Sequence, residues 1–141
     1  MASGVKVSDE AKSIFEEMKT DKKLRYVIFK IENGLVQIEQ MGDRCRCYNE
    51  FYEEIVKLGN QCRYLLYDYP APTKADNTQS LDRLVLVSWC PENSPIKSKM
   101  LYASSLDAVK RSFCSLHKTL QATDLDEVDE TAILDCVGHA H

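Results

Sequence analysis

Residues 84–90, Leu-Val-Leu-Val-Ser-Trp-Cys, are nearly continuously apolar and constrain the fold more than any other segment. The stretch is short and rich in β-branched and aromatic residues, so it reads as a strand. Both alternating faces are apolar, which predicts a central strand buried on both sides. The sheet that holds such a strand needs cover from helices. The chain has 141 residues, of which 44% are hydrophobic. That is one domain's worth of chain and enough apolar surface for one core without a metal or disulfide staple.

The other elements follow from periodicity. Ser8 caps a helix over residues 9–20, with Asp9 and Glu10 in its first turn and Ala11, Ile14, Phe15 and Met18 on one face. Arg25–Ile31 and Leu35–Met41 are strand-like runs on either side of Asn33-Gly34, the signal of a tight hairpin. Tyr48, Phe51, Tyr52, Ile55 and Val56 mark a second helix, stopped by Gly59. Residues 62–69 read as a strand, and the polar, proline-bearing residues 70–81 as a loop. Ser94-Pro95 predicts a helix start, with Ser94 as cap and Pro95 at the first helical position. That helix is expected to reach Leu116, with a bend at Ser104-Ser105. A short strand over 119–122 and a last helix from Thr123 to Gly138 complete the order. The fold class is α+β: one mixed sheet with helices packed on it.

The sequence carries 18 Lys and Arg against 22 Asp and Glu, for a net charge of -4. That balance argues against a nucleic-acid binder. The charge is unevenly placed. Residues 95–118 hold Lys97, Lys99, Lys110, Arg111 and Lys118 against Asp107 alone, whereas residues 124–141 hold six acids and no Lys or Arg. A basic helix on an acidic protein is suited to docking an acidic partner. Lys97 and Lys99 stand near the helix start, where the dipole disfavours each cation by about 0.3–1 kcal/mol. A charge kept against local preference points to a use elsewhere.

No apolar run approaches the roughly 20 residues of a membrane helix, and Met1–Val5 does not open a secretory signal. The chain is therefore expected in the cytoplasm, with its six cysteines as free thiols. Cys45-Arg46-Cys47 is the only close pair in sequence, and Cys62 and His117 are too isolated to complete a zinc site. No cofactor is expected. There is no G-x-S-x-G, Walker loop, G-x-G-x-x-G or H-E-x-x-H, and two of the three histidines, His139 and His141, lie in the final residues. A binding protein is expected rather than an enzyme.

The run Pro95-Ile-Lys-Ser-Lys-Met-Leu-Tyr-Ala-Ser-Ser105 with Asp107-Ala108, the run Ser88-Trp-Cys-Pro-Glu92, and Met1-Ala-Ser-Gly-Val5 together resemble the actin-depolymerising factor/cofilin family. The likeness runs from end to end, so residues 1–141 are expected to be one such domain. It implies a mixed, mostly antiparallel sheet flanked by helices and a non-enzymatic, monomeric protein of the actin cytoskeleton. Family members bind actin monomers and filaments, prefer ADP-actin, and sever and depolymerise filaments. Carried over, the surface shared by monomer and filament is the flexible N-terminus with Ser3 and Gly4, then Lys97, Lys99, Met100, Lys110 and Arg111. Ser3 matches the family's phosphorylation position, where a phosphate adds about -1.5 to -2 charges. Lys97, Lys99 and Lys118 match its phosphoinositide site.

The departures concern the second surface, which the family uses only on filaments. Arg83 is kept at the start of the central strand, but Asp82 precedes it. Asp135 keeps an acid near the C-terminus, while Cys136 and His139 stand where many relatives have arginine. Monomer binding is thus expected to be stronger than filament-side binding. Lys22-Lys23 with Arg25 falls short of the family's nuclear-import run. Two other readings stand beside this one: a phosphoinositide-binding adaptor with little filament activity, and a thiol-regulated or metal-binding protein using Cys45, Cys47 and Cys62.

Overall fold

The computed structural model describes residues 4–21, 23–70, 82–114, 116 and 118–133, and of residues 70, 82 and 83 only the backbone. Six strands form one mixed sheet, β1 (Lys6–Val7), β2 (Leu24–Glu32), β3 (Leu35–Asp43), β4 (Arg63–Pro70), β5 (Asp82–Trp89) and β6 (Lys118–Ala122), in the order β1-β3-β2-β4-β5-β6. The inner four pair antiparallel; β1 on β3 and β6 on β5 are parallel. Helices α1 (Asp9–Thr20) and α3 (Ile96–Ser112) cover one face, and α2 (Tyr48–Leu58) covers the other. A 3-10 turn at Leu125–Glu127 follows β6, and residues 130–133 are helical.

The apolar run at 84–90 does what its pattern requires. Leu84 and Leu86 are buried among α1 and α3; Val85, Val87 and Trp89 are buried among α2 and the residues after β6. The hairpin also forms as read. Asn33 and Gly34 both take positive φ, 55° and 75°, as the favoured two-residue turn demands. Gly42 has a different reason: the Tyr26 ring crosses it so closely that a Cβ would lie 2.3 Å from ring carbons.

Several elements depart from the sequence reading. Residues 6–7 form an edge strand: Lys6 donates its N–H to Gly34 O at 3.0 Å and Ser8 to Val36 O at 3.1 Å. A two-residue strand has no periodicity to read. Pro95, not Ser94, caps α3, because the Ser94 hydroxyl already donates to Pro91 O at 2.5 Å. The helix ends at Ser112 rather than near 116. Phe113 leaves helical geometry at φ -109°, ψ 71° and stacks its buried ring on Phe15, with centroids 4.6 Å apart. It runs unbroken through Ser104-Ser105, with Ser104 Oγ donating to Leu101 O at 3.2 Å. The segment after β6 opens as a 3-10 turn, with the Asp124 carboxylate accepting from Glu127 N–H at 3.1 Å. The predicted loop falls mostly outside the described residues, as does the last helix beyond 133.

Candidate binding surface

Helix α3 is fixed to the sheet by its inner side. Tyr102, Ser105, Leu106 and Val109 are buried. The Tyr102 hydroxyl accepts the Ile31 N–H at 2.8 Å, and the Tyr64 hydroxyl donates to Tyr102 O. Burial pushes the Tyr64 phenol well above its ordinary pKa, and the Tyr102 phenol also upward, so both stay neutral donors or acceptors. These locks hold the helix by groups that face away from solvent.

The outer side is unlike an ordinary solvated helix face. Ile96 is 72% exposed and Met100 66%. Ile96, Met100, Ala103 and Asp107 recur at i, i+4, i+7 and i+11 and therefore share one stripe. Lys97, Lys110 and Arg111 are exposed, and Lys99 is half-buried. The stripe thus has an apolar middle and cationic margins. Lys99 Nζ donates to the Glu92 carbonyl just before the helix, which tethers this cation near its start.

The structure joins the N-terminal segment to the far end of the same helix. Strand β1 packs against α3. An open hollow of about 620 Å³ lies between them, lined by Val5, Lys6, Val7, Leu35, Ala108 and Arg111 among others. Gly4, exposed with φ 84°, leads into it. Five of the residues singled out from sequence, Lys97, Lys99, Met100, Lys110 and Arg111, therefore lie on one helix, with Gly4 beside its C-terminal half. Ser3 lies outside the described residues.

Other predicted positions are not gathered there. Lys118 opens β6 opposite Val85, on the side reached from the C-terminal end of α3, while Lys97 and Lys99 lie at its start. A helix of 17 residues is about 25 Å long. The backbone at Arg83 pairs with Tyr69 within the sheet. Asp135, Cys136, His139, His117 and the last residues lie outside the described residues. Ile96 was missed by sequence reasoning, although its spacing of four from Met100 and of six from buried Tyr102 was readable. Among the described residues no three His, Cys, Asp or Glu side chains are grouped to hold a metal, and no helix is long and apolar enough to cross a membrane.

The outer face of α3 thus combines an exposed apolar stripe with cationic margins on a helix fixed from behind. Residues 4–138 match the family model described as cofilin/tropomyosin-type actin-binding protein. Actin-depolymerizing factor 8 of Arabidopsis thaliana is 40% identical over 129 residues, covering 90% of this chain and 89% of that protein. The solved structure of Plasmodium berghei actin depolymerization factor 2 superposes with a TM-score of 0.80 at 32% identity, over 96% of this chain and 97% of the other. Streptomyces griseoflavus cofilin gives a TM-score of 0.79 at 31% identity, over 94% and 98%. The chain belongs to the actin-depolymerising factor/cofilin family, a non-enzymatic family of actin-binding proteins.

Proposed function

We propose that this chain binds actin through the outer face of α3 together with the N-terminal segment, and that it promotes filament depolymerisation and severing in the cytoplasm. The observation that carries this reading is the exposed Ile96–Met100 stripe with Lys97, Lys99, Lys110 and Arg111 at its margins, on a helix locked from behind. The apolar middle supplies desolvated contact, and the cations attract an acidic partner. The names of the relatives support the same partner.

Within this reading, actin monomers are bound more tightly than filament sides, with ADP-actin preferred. The reason is the dilution of positive charge at Asp82-Arg83 and the acidic residues 124–141, with Asp135 kept but Cys136 and His139 in place of arginine. Exposed ion pairs are worth about 0–1 kcal/mol each, so losing a few weakens the filament surface without abolishing it. A phosphate on Ser3 would oppose docking by like charge.

Co-sedimentation with preformed filaments tests the reading. Actin should move to the supernatant together with most of this protein, at a stoichiometry near one to one. Quantitative pelleting of the protein with intact filaments would instead make side binding the main mode. Absence of the protein from both actin pools would remove the proposal.

A further inference from the structure

Strands β4 and β5 pair antiparallel with Arg63 opposite Trp89, so the next pair outward sets Cys62 against Cys90. Both side chains belong to the α1–α3 face: Cys62 is part of that core, and Cys90 packs against it. Cys62 is 2% exposed, while Cys90 is half-buried and the more accessible of the two. The Cys90 N–H is taken by Ala122 O at 3.0 Å. Directly opposed residues have Cβ atoms about 4.5–5.5 Å apart, and a disulfide needs about 3.5–4.5 Å. A small approach of the two side chains closes that difference.

The pair sits at the root of α3. The Cys62 thiol donates to Ser94 Oγ at 3.4 Å, and Ser94 Oγ donates to Pro91 O at 2.5 Å. Those two bonds brace the turn at 91–95, from which the helix starts and whose Glu92 carbonyl holds Lys99. We propose that Cys62 and Cys90 form a reversible disulfide and that closing it loosens the turn that begins α3. The inference concerns this chain alone and stands whatever partner α3 docks.

The oxidant is a small-molecule disulfide. Cys90, the more open of the two, loses its proton and attacks one sulfur of the oxidant, expelling one thiolate. Cys62 then loses its proton and attacks Cys90 Sγ, expelling the second thiolate. Two protein thiols become one disulfide, one small disulfide becomes two thiols, and the two protons pass to those leaving groups. Cys62 then has no S–H to donate, so one of the two bonds bracing the turn is lost and Ser94 Oγ keeps only its bond to Pro91 O. Burial and the Cys62 contact push the Cys90 thiol up to about 12, so the reaction is slow at neutral pH and quickens as pH rises.

The test uses the full chain with Cys45, Cys47, Cys114 and Cys136 changed to serine, incubated with oxidised glutathione at pH 7 and pH 8.5. Intact mass should fall by about 2 Da as both remaining thiols disappear, with a linked 62–90 peptide in the monomer. The reaction should run about tenfold or more faster at the higher pH. Hydrogen exchange over 91–99 should then quicken at least about threefold and return with dithiothreitol. Cys90→Ala should keep the Cys62 thiol and give no link. Peptide mapping of the oxidised natural sequence checks the same link without the four serines. A stable glutathione adduct on Cys90, or a link only between two chains, overturns the disulfide. A closed link with unchanged exchange over 91–99 overturns the coupling to α3.

Discussion

Helix α2 obeys its local rules. The Glu50 carboxylate accepts the Cys47 N–H at 3.0 Å, Lys57 stands in the last turn, and Gly59 with φ 61° ends the helix. Its inner face buries Tyr48, Phe51 and Ile55 among Tyr26 and Tyr67, and the Tyr48 hydroxyl donates to Val128 O at 2.5 Å. Helix α3, across the same sheet, lacks a side-chain cap and an acid in its first turn, places Lys97 there, and leaves Ile96 and Met100 exposed. The contrast teaches that the two helices are stabilised by different means. α2 is favoured locally and by its core. α3 is held mainly by its buried face and tyrosine locks, which leaves its outer face free to suit a partner.

Phe51→Ala removes a ring that is 1% exposed and in contact with three tyrosines; urea unfolding should show a loss of about 3–5 kcal/mol. Actin binding by the folded fraction should be unchanged. Lys97→Ala with Lys99→Ala should do the reverse. Monomer binding should fall about 100-fold, as expected for interface hot spots, while the urea midpoint stays put. An unchanged affinity would place the interface elsewhere. Met100→Ala should lower affinity about tenfold while altering stability by no more than about 0.5 kcal/mol; a loss of stability like that of Phe51→Ala would mean that Met100 belongs to the core.

The smallest effect concerns acid. The Cys47 N–H, first among the causes, holds the Glu50 carboxyl below its ordinary pKa. Its stabilisation is complete above the unfolded value of about 4.3 and is lost as pH falls through the lower folded value. Protection factors at the start of α2, which correct exchange for its intrinsic dependence on pH, should therefore fall on acidification, and Glu50→Gln should flatten that fall. Glu127, held down by the Thr123 N–H, should loosen the turn at 124–127 in the same direction. The first turn of α3 has no acid to titrate, so an equal acid response there would dissolve the contrast.

Much of the fold was legible because the signals were local. The apolar run at 84–90 required cover on two faces, Asn33-Gly34 set the hairpin, and Ser8 with its following acids set α1. The boundaries that failed were those decided at a distance. Phe113 ends α3 by joining Phe15 and Phe29 across the core, and the Pro91 carbonyl takes the hydroxyl that would have capped it. The cations of the proposed docking surface were readable as a cluster, since one helix carries them.

The amino-acid sequence by itself determined the fold class, the family and the basic helix, because each rests on residues near one another along the chain. Tertiary structure alone decided which thiols meet. Cys45 and Cys47 are two residues apart and both exposed, whereas Cys62 and Cys90 lie 28 positions apart and come together through strand register. It also decided that residues 5–7 and Arg111 line one hollow, since the parallel pairing of β1 with β3 brings the N-terminal segment beside α3. Contacts of that kind depend on how strands align, and alignment is settled by the whole core at once rather than by any one segment.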